Sequence, residues 1–259
     1  MSAMTSALMP ANLLKVWESG VPSSSTMRGL LLLGLACPQA TADELMQTRI
    51  GHRDACLLSL RETLFGPHLA CLLDCPTCGQ PIELDFTVDD VRTNHAAPDD
   101  VCEIKADGGT LRFRLPCSAD LLALESQGDT AHAAHAERWL LSRCWLPAPG
   151  DNATATPTPM AVAPPDWRED QVQAAVEAMA LRDPQAEVLL DVVCPACRAP
   201  SSHLFDIVGH LWRELDHWAR GMLRQVHAIA ARYGWSEAHI LAMGQARRRA
   251  YLDLIGYAG

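Results

Sequence analysis

The apolar positions of the chain change their period along its length, and those changes divide it. Between residues 11 and 66 they recur at helical spacing: Leu13, Leu14 and Trp17, then Leu30 to Leu35, then Leu57, Leu58, Leu60 and Leu64. The spacing predicts a small helical module. Gly20-Val21-Pro22 and Cys37-Pro38 punctuate it, Thr41 or Asp43 can cap a short helix ending before Gly51, and Gly66-Pro67 closes it. From Ile82 the period falls to two: "IELDFTV", "VCEIKA" from Val101 and "LRFRL" from Leu111 alternate apolar and polar residues, which predicts strands. Asp107-Gly108-Gly109 is the expected hairpin turn. Ser118 can cap a helix through Leu124, and a second helix is expected from about Thr130 to Trp145.

Six prolines stand between Pro147 and Pro165 among Ala, Thr, Asp, Asn and Gly, a composition too poor in apolar groups to order itself. A linker or extended loop is expected there. Helical periodicity returns from Trp167 to Leu181, with Val172, Val176 and Met179 on one face, and Asp183-Pro184 ends it. The clearest pattern follows: Leu204, Val208, Leu211, Leu215, Trp218, Met222, Val226, Ile229 and Tyr233 recur over 29 residues in eight steps. That is the α-helical period. Ser201 or Ser202 is the expected cap and Gly234 the stop; shorter helices should follow from Ser236 to Met243 and from Gln245 to Ile255.

Composition narrows the function classes. The 259 residues are 49% hydrophobic, enough for one sizeable core or two modest ones, and carry a formal charge of -10. That balance opposes broad attraction to nucleic acid or to an anionic membrane, both of which need a positive surface. The longest apolar stretch, Leu30 to Cys37, is far shorter than the roughly 20 residues that cross a bilayer. No membrane association is expected.

Ten cysteines would suggest disulfides in a secreted chain, but four form two Cys-Pro-x-Cys pairs, Cys75/Cys78 and Cys194/Cys197. Each pair sits between strand-like stretches, and 115 residues separate Cys78 from Cys194. A Cys-x-x-Cys turn holds two thiolates on one side of a tight knuckle, and two knuckles supply the tetrahedral sulfur set preferred by zinc. The expectation is one structural zinc per chain on Cys75, Cys78, Cys194 and Cys197, in a reducing cytoplasm. With all four corners filled by protein, the site has no position for a reactive water. The alternative is a thiol-disulfide enzyme, whose Cys-x-x-Cys should open a helix that lowers the first thiol's pKa. Strand-like residues flank both knuckles here.

Cys71 and His203 stand near enough to compete as ligands, although packing explains each equally well. Cys37, Cys56, Cys102, Cys117 and Cys144 sit among apolar neighbours as small core residues; His132 and His135 can bind a metal together or simply line a solvated helix. A nucleic-acid-binding zinc ribbon is a further alternative, opposed by charge: Arg198 stands beside the knuckles among Asp74, Glu83, Asp85 and Asp191. No Gly-rich phosphate loop, Gly-x-Ser-x-Gly elbow or distinctive carboxylate pair appears, so catalysis is not expected.

The stretches "LLKVWESG", "GHRDACLLSLRETLFGP", "CPTCG", "LRFRLPCSADLLAL", "CPAC" and "LFDIVGHLWRELDHWARGMLRQVHAIAARYGWSEAHILAMGQARRRAYLDLI" together resemble a family encoded with contractile phage tails and phage-tail-like injection systems. The closing "YGWSEAHILAM" and "RRRAYLDLI" are similar to the C-terminal signature of the T-even phage baseplate hub assembly family. "MGQARRR" departs from it where a serine or proline and a bulkier residue are expected. The resemblance implies a baseplate hub component or its assembly chaperone, with baseplate or tail hub proteins as partners and no small-molecule substrate. It also implies residence in the cytoplasm of the bacterium or infected host, or in the tail particle.

The expected architecture is α+β. A helical N-terminal module (1–67) is followed by the first half of the zinc ribbon with a hairpin (68–117), a helical insertion (118–146) and the linker (147–166). A helix with the second half of the ribbon (167–202) and a helical C-terminal module (203–259) complete it. Among the C-terminal residues Trp212, Trp218, Trp235 and Arg247 to Arg249, of kinds enriched at contact hot spots, the period assigns Trp218 to the core. Trp235, Arg247, Arg248 and Arg249 are the candidate partner-binding residues.

Overall fold

A computed structural model of the chain describes residues 7–93, 101–106, 109–127, 133–147 and 167–257. Helices α1 (Pro10–Gly20), α2 (Ser25–Ala36), α3 (Ala42–Gln47) and α4 (Ile50–Phe65) precede a hairpin of β1 (His68–Asp74) and β2 (Pro81–Thr87). The single turn α5 (Val88–Val91) leads to β3 (Val101–Ala106) and β4 (Gly109–Arg114), then to α6 (Ser118–Glu125), α7 (Ala133–Cys144) and the short β5 (Trp145–Leu146). After α8 (Glu169–Arg182) and a 3-10 turn at Pro184–Ala186, a second hairpin joins β6 (Leu189–Val193) to β7 (Pro200–Leu204). Helices α9 (Ile207–Tyr233), α10 (Glu237–Leu241) and α11 (Gln245–Leu254) finish the chain. The protein is α+β, with all strand pairs antiparallel.

The chain forms two compact units: residues 1–40 with 206–259, and residues 41–205. The first 67 residues, expected to form one module, are therefore divided, with α1 and α2 in the first unit and α3 and α4 in the second. The division follows from how α4 is held. Its N-cap residue, Arg49, makes no side-chain cap bond. Instead Asp183, 132 residues downstream, accepts from the Gly51 N–H at 2.8 Å, and α4 packs on the turn beginning at Pro184. A side-chain carboxylate placed there satisfies one of the orphan donors of the helix and meets its positive end.

In the first unit, Leu14 of α1 joins Ala219, Met222, Val226 and Ile229 of α9 with Ile240, Leu241 and Leu252 in one core. Trp17 ties α1 to α9 through a 2.8 Å bond from Nε1 to Asp216 Oδ1. The Arg28 guanidinium lies 4.8 Å over the Trp212 ring and donates to the carbonyls of Gly20 and Val21, at the end of α1. Helix α9 buries the predicted face, including Val208, Leu211 and Leu215. It begins later than expected, however: Asp206, not Ser201 or Ser202, caps it by accepting from Gly209 N–H at 3.0 Å. Leu204 ends β7 instead and is 62% exposed. Phe205 still bonds its N–H to the Val188 carbonyl, which extends the hairpin ladder past Leu204 and delays the helix. Gly234, left-handed at φ 68°, stops α9 as predicted.

In the second unit, a three-stranded sheet of order β3-β4-β5 carries Ile104 and Phe113, which pack with Leu141, Trp167, Val172 and Ala175 under α8. The end of the expected helix to Trp145 is strand, because Trp145 and Leu146 pair with Phe113 and Arg112. Helix α6 starts with Cys117 as its cap residue in place of Ser118, whose hydroxyl is buried. The two remaining hairpins, β1–β2 and β6–β7, are separate two-stranded sheets. From residue 148 onward, the expected linker lies outside the described residues, as do His132 and residues 107 and 108 of the expected hairpin turn.

Candidate metal centre

Isolated two-stranded hairpins are marginal in water, so something must hold β1–β2 and β6–β7 together. Part of the answer is apolar: Ile82 and Leu84 of the first hairpin pack with Val192 of the second, and Phe86 meets Phe205 edge-on with ring centroids 5.5 Å apart. The rest lies at their ends. Both turns have the form Cys-Pro-x-Cys-x-x-Pro, "CPTCGQP" from Cys75 and "CPACRAP" from Cys194, and both fold alike. Cys75 N–H donates to Gln80 O and Gly79 N–H to Cys75 O; Cys194 N–H donates to Ala199 O and Arg198 N–H to Cys194 O. The final prolines begin the return strands, Pro81 opposite Asp74 and Pro200 opposite Val193.

The residue after each second cysteine is left-handed, Gly79 at φ 70° and Arg198 at φ 64°. Arg198 is the one non-glycine with positive φ among the described residues. A side chain in that region costs roughly 1–2 kcal/mol, so the knuckle geometry overrides local preference.

This duplication brings the four predicted ligands together. Cys75, Cys78, Cys194 and Cys197 have sulfurs all within 4.8 Å of one another. Across the two knuckles, Cys75 to Cys197 and Cys78 to Cys194 are each 3.7 Å. A tetrahedron of sulfurs at about 2.3 Å from a central ion has edges of about 3.8 Å. The group can hold a metal ion, and all ten cysteines of the chain are thiols. Each first cysteine is buried, Cys75 at 2% exposure and Cys194 at 0%, while Cys78 and Cys197 face solvent.

The electrostatics already favour charge at one corner. Backbone N–H groups of Cys78 and Thr77 donate to the Cys75 sulfur and hold its thiol down to about 6 against the effect of burial. At Cys78 the Gln80 N–H also favours the thiolate, but hydrogen bonding with Cys197, burial and the Cys75 and Cys194 sulfurs outweigh it and push the thiol up to about 12. Four sulfurs this close cannot all ionise alone. A cation at their centre removes that conflict, since metal binding releases the thiol protons.

The other sequence candidates lie elsewhere. Cys71 is half-buried on β1, and His203 shares a 2.9 Å hydrogen bond with Ser201. Neither joins the sulfur group, which among the described residues is the one cluster of three or more such ligands. Cys37 and Cys56 are half-buried and Cys102, Cys117 and Cys144 buried, with burial pushing Cys144 up to about 12. His135 is exposed.

The candidate contact residues divide. Arg248 is buried, donating to Gln225 Oε1 and Met243 O at 3.1 Å each, so it is a core residue and not a contact group. Trp235 stacks on Tyr233 at 4.8 Å and meets Tyr251 edge-on, against the core of its own unit. Arg247 lies 5.8 Å from the Tyr251 ring and Arg249 pairs with Asp253 at 3.1 Å; both arginines are exposed.

One polar group escaped the sequence reading. Asp120, 1% exposed, accepts from Arg114 at 2.6 and 2.7 Å, from Arg143 at 3.1 Å and from Cys117 N–H at 3.0 Å. Burial disfavours its carboxylate, but the Arg114 bonds prevail and hold its pKa below the usual range. Its signal was slight: a carboxylate at the third position of α6, with one arginine at the end of the preceding strand and the other in the following helix.

Comparison of the chain with protein-family models, with curated proteins and with solved structures gives no match. Fold and site together define an α+β protein in which a four-cysteine cluster able to hold a metal joins two β-hairpins. No helix among the described residues is long and apolar enough to cross a membrane.

Proposed function

We propose that the four thiolates bind one structural zinc ion and that the protein is a noncatalytic baseplate hub component, or the assembly chaperone of one, in a contractile phage tail or phage-tail-like injection system. The observation that carries the zinc assignment is the set of four sulfurs all within 4.8 Å of one another, with the two cross-knuckle pairs 3.7 Å apart. Four thiolates in that arrangement suit zinc or iron and leave no open coordination position, which fits a staple better than a hydrolytic centre. Zinc supplies no redox chemistry, and both knuckles join strand to strand, so neither first thiol sits at a helix N-terminus as in thiol-disulfide enzymes. The tail role is supported by the sequence resemblance, which spans most of the chain.

Elemental analysis of the purified chain tests the first part. One zinc per chain is expected, lost in Cys194→Ser; a folded, metal-free chain, or iron in place of zinc, overturns it. Coexpression with the hub proteins of the same gene cluster tests the second. Copurification with a hub protein is expected, and its absence for every hub protein overturns the tail reading while leaving the zinc assignment intact.

A further inference from the structure

The exposed face of α9 carries a row that the core and the metal centre leave unexplained. Arg213, His217, Arg220, Arg224 and His227 follow one another at spacings of four, three, four and three residues, and all five are exposed. They lie on one line of the helix, about 21 Å long at 1.5 Å per residue, with neighbours about 5–6 Å apart. No acidic residue interrupts the line; Ala231 ends it. Arg220 and Arg224, four residues apart, are like charges, a pairing that destabilises a helix, where a solvated face ordinarily mixes both signs.

The row also stands out against the whole chain. Its unit, residues 1–40 and 206–259, has nine Lys and Arg against six Asp and Glu, or +3, whereas residues 41–205 have twelve against twenty-five, or -13. Two other arginines of the same unit have internal roles: Arg28 covers Trp212 and Arg248 is buried. On the row, Arg220 is bonded to Asp216 at 2.8 Å.

We infer that this basic row is a docking surface for an acidic face of a partner protein, whose carboxylates meet Arg213, Arg220 and Arg224. Charge complementarity selects that occupant. A nucleic acid backbone, with one charge per about 1.7 Å, would also lie over Asp216 and Glu214, which flank the row on its two sides. Among its described residues the unit offers it no fully exposed aromatic for stacking: Trp212 is buried and Trp218 and Trp235 are packed against the core. A protein face can place its carboxylates discretely, opposite the arginines and away from the flanking acids.

The inference is independent of the zinc reading, because the row and the four cysteines belong to different units. Fluorescence anisotropy of a labelled glutamate oligomer against the full chain tests it. At low salt, binding is expected that weakens roughly tenfold when salt is raised through the physiological range. The double variant Arg213→Glu/Arg224→Glu should bind roughly tenfold or more weakly with an unchanged circular dichroism spectrum, and Arg182→Glu, an exposed arginine of the other unit, should bind as the parent does. Absence of binding, or equal weakening by Arg182→Glu, overturns the inference. So does tighter, row-dependent binding of duplex DNA at the same salt, which assigns the row to nucleic acid. Row-dependent self-association in sedimentation assigns it to a second copy and equally overturns it.

Discussion

Asp120 gathers two arginines around one carboxylate. Its carboxylate neutralises Arg114 and Arg143, which are about one-third exposed, while itself being almost wholly buried. Asp120→Ala strands two cations beside a buried site; partial exposure of the arginines softens the loss, so a destabilisation of about 3 kcal/mol is expected in chemical denaturation. Because the folded carboxyl is depressed, the unfolded chain takes up protons first. The stabilisation is therefore complete above the ordinary Asp value of about 4 and drains away as pH falls below it toward the lower folded value. The parent should lose this increment on acidification and Asp120→Ala should not, as denaturation midpoints across pH would show. Gly51 makes a second sharp case. A Cβ there would lie 2.1 Å from Asp183 Oδ1, so Gly51→Ala must displace the carboxylate that caps α4, at an expected cost of about 2 kcal/mol.

At the scale of elements, the two knuckles are one design used twice, differing where glycine is replaced by arginine. Arg198→Gly should relieve the left-handed conformation while adding freedom to the unfolded chain, for a net gain of about 0.5 kcal/mol in the metal-loaded protein. Thermal melting with zinc present checks it; a loss would show that the arginine side chain has a role outweighing its backbone strain. The hairpins depend on each other more than on their own ladders. Each has two strands, and the contact between them is the small cluster of Cys75, Ile82 and Cys194 with Leu84 and Val192, together with the Phe86–Phe205 pair.

At the scale of the molecule, metal removal should therefore act locally. Closing a loop of 115 residues costs about 4 kcal/mol if the intervening chain is flexible, while structural zinc in isolated fingers supplies about 10 kcal/mol or more. The closure is easily offset, and less is needed because the intervening segment carries its own core around Phe113 and Trp167. Chelation is expected to abolish hydrogen-exchange protection in β1, β2, β6 and β7 and to leave the centre of α9 protected, since that helix has a separate core. Loss of protection throughout α9 would show instead that the metal governs the folding of both units.

Local signals in the chain settle the period of α9, the stop at Gly234 and the two cysteine pairs. They also pick out the four cysteines of the cluster, because thiols at this spacing within a repeated turn have few other uses. Tertiary structure alone decided what depends on residues distant in the chain. Asp183 ends one helix and caps another, Trp145 leaves its helix for the edge of a sheet, and Arg248 leaves the surface for the core. The physical reason is the same in each case. An unsatisfied N–H, an open strand edge or a buried charge takes its partner from wherever the fold brings one near, and local propensity does not reach that far.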